Sequence, residues 1–449
     1  MSDSLLTIVK SINDILWGYV LLFVLVGCGI YFTFNLRFIQ VRKFGKAFKQ
    51  AFGGFSFKGE KAGAEGMTSF QSLATAIAAQ VGTGNLAGAA TAIVSGGPGA
   101  IFWMWISAFF GMATIFAEAV LAQTFKKQVD GEVTGGPAYY LRYGLNSKFL
   151  SGLFSVLIIF ALGFIGNMVQ ANSIGVAFAS AFHVKPIIVG IVLAVIAGFI
   201  FIGGIGRIAS FTEKLVPFMA AFYIVGGVII LVMMGGKTLD AFRQIFVGAF
   251  DPSAILGGAA GVAVKDAIRY GVARGLFSNE AGMGSTPHAH AVAKVKDPTQ
   301  QGLVAIVGVF IDTFVVLNIT ALVIIATGAN LSGKTGIEAT QKAFELGFGK
   351  FGIVFVAIAL LFFAFSTIIG WYFFAEANIK FLFGKKALSP FRIIVLIFII
   401  LGTTLHVELV WQIADTFNGL MVIPNVIGLI GLSKLVKKAL DNAEENNIL

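Results

Sequence analysis

A chain of 449 residues in which 57% are hydrophobic and only 12% charged carries more apolar surface than a soluble core can cover, because soluble chains are about a quarter charged. Lipid is the solvent that suits it. The formal charge of +10 would suit nucleic acid, but the Lys and Arg sit between apolar segments and exclude that partner; one cysteine, Cys28, excludes an internal disulfide and a multi-thiolate metal centre.

In chain order, apolar runs predict eleven spans at 14–36, 68–95, 98–125, 149–180, 186–206, 211–235, 255–284, 300–328, 350–380, 390–406 and 410–434. Each is long enough to cross about 30 Å of hydrocarbon. Leu25-Val26-Gly27-Cys28 resembles a lipoprotein cleavage box. Asp3 and Asp14 stand against Lys10 before it, however, and the apolar run continues past Cys28, so a spanning helix is predicted instead of a cleaved signal. After the first span, Phe38, Val41, Phe44, Phe48 and Phe52 recur at helical spacing with Arg42, Lys43, Lys46 and Lys49 between them. That pattern predicts a helix lying on the membrane surface. The seventh span is interrupted by Lys265, Asp266, Arg269 and Arg274, and the loop 329–349 should hold a further short helix.

Positive charge sets the orientation. With the N-terminus outside, 22 Lys and Arg fall in cytoplasmic loops and tail, 7 outside and three within the seventh span. The predicted protein is a multi-pass cell-membrane protein with the N-terminus outside and the C-terminus cytoplasmic.

Its organisation is an N-terminal span and amphipathic linker (1–66), a first five-helix repeat (67–236), an outside linker (237–253), a second repeat (254–436) and a tail (437–449). Spans two and seven start in opposite senses, as inverted repeats require. Both are rich in glycine and polar residues, through Gln80-Val81-Gly82-Thr83-Gly84-Asn85 and Gly275-Leu276-Phe277-Ser278-Asn279-Glu280-Ala281-Gly282-Met283-Gly284. Interrupted helices in corresponding places point to a transporter's binding site.

At the first interruption Gly82 and Gly84 permit unwinding. Freed N–H groups can then hold a carboxylate and freed carbonyls a cation. The alternative is close helix approach through Gly84-x-x-x-Gly88. Span four presents Gly163, Gly166, Asn167, Gln170 and Ser173 on one stripe, as a cavity wall or as interhelical hydrogen bonding. In span nine, Ser366 and Thr367 could ligate a hard cation or bond back to the preceding turn. Of the intramembrane acids, Asp312 lies near the centre of its span, with Glu118 and Asp415 nearer span ends. Asp312 is a functional candidate whose alternative is a structural pair with Lys265, Arg269 or Arg274.

Two motifs carry no chemistry here. Gly328-Ala329-Asn330-Leu331-Ser332-Gly333-Lys334-Thr335 fits the P-loop pattern but follows a membrane span instead of a strand. His288-Ala289-His290 lacks the partners of a metal site. Without Gly-x-Ser-x-Gly or His-Glu-x-x-His, enzyme chemistry has no basis, and a channel would not need two interrupted helices.

The segment from Gly96-Gly97-Pro98-Gly99 through Trp103-Met104-Trp105 to Phe109-Phe110-Gly111 resembles the signature of the alanine or glycine:cation symporter (sodium:alanine symporter) family. Ser278-Asn279-Glu280-Ala281-Gly282-Met283-Gly284-Ser285 and Ala364-Phe365-Ser366-Thr367-Ile368-Ile369-Gly370-Trp371 resemble it too, so the likeness covers the whole chain. It implies an all-α LeuT-type fold of two inverted five-helix repeats behind one extra helix. It also implies import of alanine or glycine by alternating access, coupled to Na+ or H+. The partners are then the amino acid, Na+ and the lipid bilayer, with the oligomeric state left open. Trp103-Met104-Trp105 is expected to pack its span and not to bind.

Val81-Gly82-Thr83-Gly84-Asn85 also resembles the broken helix of neurotransmitter:sodium symporters. That likeness assigns the substrate carboxylate to Thr83 and Gly84, a sodium to Asn85, and a second sodium to Ala78, Val81, Ser366 and Thr367. Carbonyls near Phe277 and Ser278, with Gln170, are expected to receive the ammonium, and Trp371 to close a small side-chain pocket. The alternatives are proton coupling, with Asp312 as its carrier, and a larger neutral amino acid.

Overall fold

The computed structural model describes residues 2–53, 66–251, 264–405 and 407–449. The chain starts with helix α1 (Ser2–Ile15), which runs through one wide turn into α2 (Leu21–Asn35). The first span therefore begins nearer the N-terminus than the expected residue 14. Cys28 lies buried within α2. A short turn at Ile39–Arg42 leads to α3 (Phe44–Phe52), the amphipathic helix expected from its phenylalanine spacing. Phe44 and Phe48 meet Phe310 edge to face, with ring centres 4.9 and 6.2 Å apart.

The second span is two helices, α4 (Ser69–Gln80) and α5 (Gly84–Gly96), bent by 48° at the break. A capping box starts α4: Gln71 N–H donates to Thr68 Oγ1 and Thr68 N–H to Gln71 Oε1, both at 3.1 Å. Then come α6 (Ala100–Thr124), α7 (Lys148–Phe182), α8 (Pro186–Ile202) and α9 (Gly204–Met234). Between α6 and α7 a small hairpin, β1 (Lys127–Val129) and β2 (Glu132–Thr134), adds the one sheet among the described residues. The stretch 237–253, expected as a linker, is largely helical as α10 (Gly236–Gly248).

The second half contains α11 (Val264–Asn279), α12 (Pro298–Thr327), α13 (Gly336–Phe348), α14 (Lys350–Phe383), α15 (Leu388–Gly402), α16 (Val407–Gly431) and α17 (Ser433–Glu445). The expected start of the seventh span, 255–263, lies outside the described residues. The short helix expected in 329–349 is α13.

Among the described residues, seven helices are long and apolar enough to cross a membrane, or eight with the bent pair. Helices α8 and α15 are shorter, at 17 and 15 residues. Along α8, Ile188, Ile191, Val192, Val195, Ile196, Phe199 and Ile202 are exposed, an apolar band suited to lipid contact. Loop contacts sort the chain into two faces. On one, Arg37 and Arg42 pair with Glu444 at 3.0 Å, Lys380 pairs with Glu132 at 2.8 Å, and Lys126 Nζ donates to the Ala293 carbonyl at 3.1 Å. On the other, Lys10 pairs with Glu408.

Candidate functional site

The first break is an interval of three residues. Helix α4 ends at Gln80, Val81 leaves helical geometry with φ −81° and ψ 87°, and α5 opens on a wide turn, Gly84–Gly88. Thr83, Gly84 and Asn85 are fully buried. The break is real, so the glycines do more than let helices approach. The freed groups find partners on other helices and within the break itself. Thr83 N–H donates to Gln170 Oε1 of α7 at 3.1 Å. Gly82 N–H donates to Asn85 Oδ1 at 3.0 Å. Asn85 Nδ2 donates to Asp312 Oδ1 at 2.7 Å and to its carbonyl at 3.1 Å.

On the opposite side of the break lies α14. Thr367 Oγ1 sits 2.9 Å from the Ala78 carbonyl, 3.4 Å from that of Val81 and 3.0 Å from that of Phe363. Ser366 Oγ is 3.3 Å from Ala78 O and 2.8 Å from Phe363 O. Both hydroxyls thus bond back to the preceding turn and also reach the carbonyls that the break frees. Two hydroxyls and two carbonyls converge as an all-oxygen, uncharged set, the donor chemistry of a hard monovalent cation. A Cβ on Gly82 would overlap Thr367 Oγ1 and come within 3.1 Å of Gln170 Oε1. This position has room for glycine alone unless its neighbours move.

Asp312 belongs to a wide helical segment of α12, Phe310–Leu317, a distortion frequent at functional sites. Its carboxylate is fully buried and accepts from Asn85, from Ser278 Oγ at 3.0 and 3.1 Å, and from Thr313 Oγ1 at 2.8 Å. The alternative ion pair is not formed: Arg269 reaches Asp14, and Arg274 binds Asp415 through two contacts of 2.7 and 3.0 Å. Thr83 Oγ1 is buried at the break without a hydrogen-bond partner.

The second break starts later than the glycines of span seven suggest. Gly275 remains helical, packed where a Cβ would meet Ser107 Oγ at 2.8 Å. Helix α11 continues to Asn279, and the chain unwinds over 280–286. Glu280, Gly282 and Gly284 all take positive φ, 59°, 86° and 84°; the two glycines adopt it without steric cost. Phe277 and Ser278 therefore occupy the last helical turn, where carbonyls run out of intrahelical donors. The Asn279 carbonyl accepts from Gln80 Nε2 at 2.7 Å, linking the two breaks directly.

Two acids at this break carry roles that the sequence pattern did not assign them. Glu118, which its place near a span end made unremarkable, is fully buried. It accepts from the N–H groups of Gly282 (3.0 Å) and Gly284 (2.9 Å) and from Asn425 Nδ2 (2.7 Å). Glu280 accepts from Ser285 Oγ and from the Trp371 indole, both at 2.5 Å. An acid inside a membrane span was the available signal for both.

Trp371 is buried, edge-on to Phe277 with ring centres 6.2 Å apart, and a Cβ on Gly166 would meet its ring at 2.6 Å. Of the span-four stripe, Gly163 and Gly166 pack against α14 and Asn167 bonds back to Gly163. Gln170 reaches the break, where its oxygen accepts from the amide of Thr83, the group assigned to the carboxylate. The histidines of 288–290 serve structure: His288 Nδ1 is 2.7 Å from Ser285 O and Nε2 is 2.8 Å from Asn378 Nδ2. Among the described residues no group of three metal-ligating side chains occurs.

A cavity of about 760 Å³ opens towards the face that carries α13, lined by Thr91, Asn172, Ser173, Arg274, Glu338 and Trp411 among others. Arg274 lies over the rings of Phe277 and Trp411, at 5.9 and 5.6 Å. Arg274 and Trp411 line the cavity, and Phe277 packs beneath them on α11.

The sequence profile described as the sodium:alanine symporter family matches residues 2–447. The chain belongs to this family. It is accordingly a cation-coupled amino-acid symporter that crosses a membrane several times, a transporter and not an enzyme. Relatives in the family include a sodium/alanine symporter of Methanococcus maripaludis, 45% identical over 96% of this chain and 95% of the relative. A probable sodium/glutamine symporter of Bacillus subtilis is 42% identical over 98% and 91%. A manganese transporter of Eremococcus coleocola shares the fold at a TM-score of 0.52 and 14% identity, over 80% of this chain and 75% of that one. The all-helical LeuT-type architecture expected from the sequence is thereby established for this symporter.

Proposed function

We propose that this symporter imports alanine or glycine together with Na+, by alternating access from the face carrying α13, which is the outside. The observation that carries the reading is the convergence of Ser366 and Thr367 on the carbonyls of Ala78 and Val81 at the first break. In this reading the two hydroxyls keep their protons on the Phe363 carbonyl and turn their lone pairs, with the Ala78 and Val81 carbonyls, to Na+. A second cation is held by Asp312 and Asn85. The substrate carboxylate displaces Gln170 from the Thr83 amide and also uses that of Gly84. Burying a carboxylate without such donors costs several kcal/mol. The ammonium is received by the carbonyls of Phe277 and Ser278 and by the displaced Gln170 oxygen. Trp371, fixed by Glu280, sets the length of the side-chain pocket.

The test is uptake of labelled alanine into proteoliposomes under an imposed Na+ gradient at equal pH. Accumulation that needs the Na+ gradient supports the reading. A second reading, proton coupling, is favoured by one observation: Asp312 is fully buried and its hydrogen-bond donors Asn85, Ser278 and Thr313 are all neutral. Accumulation that follows a pH gradient in Na+-free buffer would replace Na+ with H+ and make Asp312 its carrier.

A further inference from the structure

Helix α1 precedes the two repeats, and nothing in the transport reading uses it. One of its faces is polar and packed against the rest of the fold. Lys10, Asn13, Asp14 and Trp17 follow the spacing of one helical face, and every one of them reaches α11 or α16. Asn13 is 6% exposed. Its Nδ2 donates to the Gln412 carbonyl and to Gln412 Oε1, both at 2.8 Å, and its Oδ1 accepts from Thr416 Oγ1 at 2.8 Å. Trp17 Nε1 donates to the carbonyl of Asp415 at 2.9 Å. Asp14 pairs with Arg269, and Lys10 with Glu408.

These contacts bracket the Arg274–Asp415 ion pair from both sides. Gln412, Asp415 and Thr416 form one turn of α16. Arg269 lies five residues before Arg274 on α11. A cavity of about 190 Å³, lined by Asn13, Asp14, Trp17, Arg274 and Asp415 among others, lies between α1 and the pair. The larger cavity lies against Arg274 as well. Arg274 of the ion pair therefore borders both cavities, and the backbone that presents Asp415 is held by an indole from the wide turn after α1. A buried asparagine bonded at both ends, and a buried indole bonded at its only donor, cannot slide without losing those bonds.

We infer that α1 and the wide turn after it are a positioning strut for the Arg274–Asp415 pair: Trp17 and Asn13 hold the turn of α16 that presents Asp415, so that the large cavity can close onto a fixed pair. Trp17 and Asn13 are positioning residues that touch neither substrate nor cation. The inference rests on the proposed route of the substrate through that cavity.

The test uses the full-length protein in proteoliposomes with Na+ and alanine. Cys28 is the single native cysteine and is buried, so Thr91→Cys adds a reporter on the cavity wall. Its reaction with a charged thiol reagent should slow when alanine and Na+ are added and the cavity closes onto the pair. Trp17→Phe keeps the aromatic packing and removes only the donor. In the Thr91→Cys background it should erase most of that slowing and lower maximal uptake about three- to tenfold, the range expected for one buried hydrogen bond. The alanine concentration for half-maximal uptake should stay within about twofold, because the strut acts on closure and not on the site. Asn13→Ala, a second route to the same turn, should behave alike. Full protection of the introduced thiol and unchanged maximal uptake in Trp17→Phe would overturn the strut. If Thr91→Cys alone shows no protection by alanine and Na+, the substrate route through the cavity fails instead, and the strut with it.

Discussion

The two breaks differ in how their freed backbone is held. At the first, spanning Val81 to Thr83, neutral side chains occupy the amides and carbonyls: Gln170, Asn85, Ser366 and Thr367. At the second, 280–286, two backbone amides point at the carboxylate of Glu118, itself held by Asn425. Neutral caps can be exchanged for a substrate carboxylate or a cation at modest cost. A carboxylate clamped by two amides and an asparagine is far harder to release, since charge-assisted hydrogen bonds are about twice as strong as neutral ones. In the proposed reading the first break is the place where ligands exchange and the second its anchored frame.

The sharpest way to break that comparison is to fill the first break. Gly82→Ala puts a methyl group onto Thr367 Oγ1 and should abolish Na+-driven alanine uptake, by about a hundredfold or more, while the protein still elutes as a folded species. Gly84→Val, whose Cβ would lie 3.0 Å from Ser278 Cα, should lose alanine binding as well. Equal uptake by Gly82→Ala and wild type would remove the exchange site from this break.

The second break should answer mutation through stability. Glu118→Ala leaves the amides of Gly282 and Gly284 unpaired, at roughly 1–3 kcal/mol each, and removes one of the two acceptors of Asn425 Nδ2. Its melting temperature in detergent should fall clearly below that of Gln170→Ala, which strands one amide that a ligand or water can serve. The reverse order would make the first break the anchored one.

Two smaller effects sharpen the assignment at the first break. Thr367→Ala removes one oxygen from the converging set and should raise the Na+ concentration for half-maximal uptake about tenfold, equivalent to about 1.4 kcal/mol. Trp371→Ala should admit larger neutral amino acids as competitors of alanine uptake, with a change of a few-fold in their inhibition. An unchanged inhibition profile would place the side-chain pocket elsewhere.

Much of this was legible because lipid enforces local rules. An amphipathic phenylalanine spacing marked α3, and glycine beside Thr83 and Asn85 in mid-span marked a break, since an unwound backbone in a membrane must face protein or a cavity. The hydroxyls of Ser366 and Thr367 carried the chemistry of their site in their residue types. What escaped depended on contacts across the fold. Glu118 looked peripheral by position along its own span, yet its helix packs against the second break. The glycine run 275–284 marked unwinding without showing where it starts, because Gly275 answers to close packing against Ser107 and Gly282 to a positive φ. Gln170 was legible as polar in lipid, but the particular amide it caps follows from how α7 crosses the break. The polar face of α1 was present in the sequence at helical spacing, and its meaning depended on partners about 400 residues away along the chain.

The most direct test of the central claim is equilibrium binding of labelled alanine to the purified protein as Na+ replaces choline at constant ionic strength. If Na+ bound by Ser366, Thr367 and the carbonyls of Ala78 and Val81 organises the first break, alanine affinity should rise steeply with Na+, and Na+ affinity should rise with alanine by the same factor. Thr367→Ala should shift the sodium midpoint upward without changing the affinity reached at saturating Na+. Alanine binding of equal strength in Na+-free choline buffer would contradict the account.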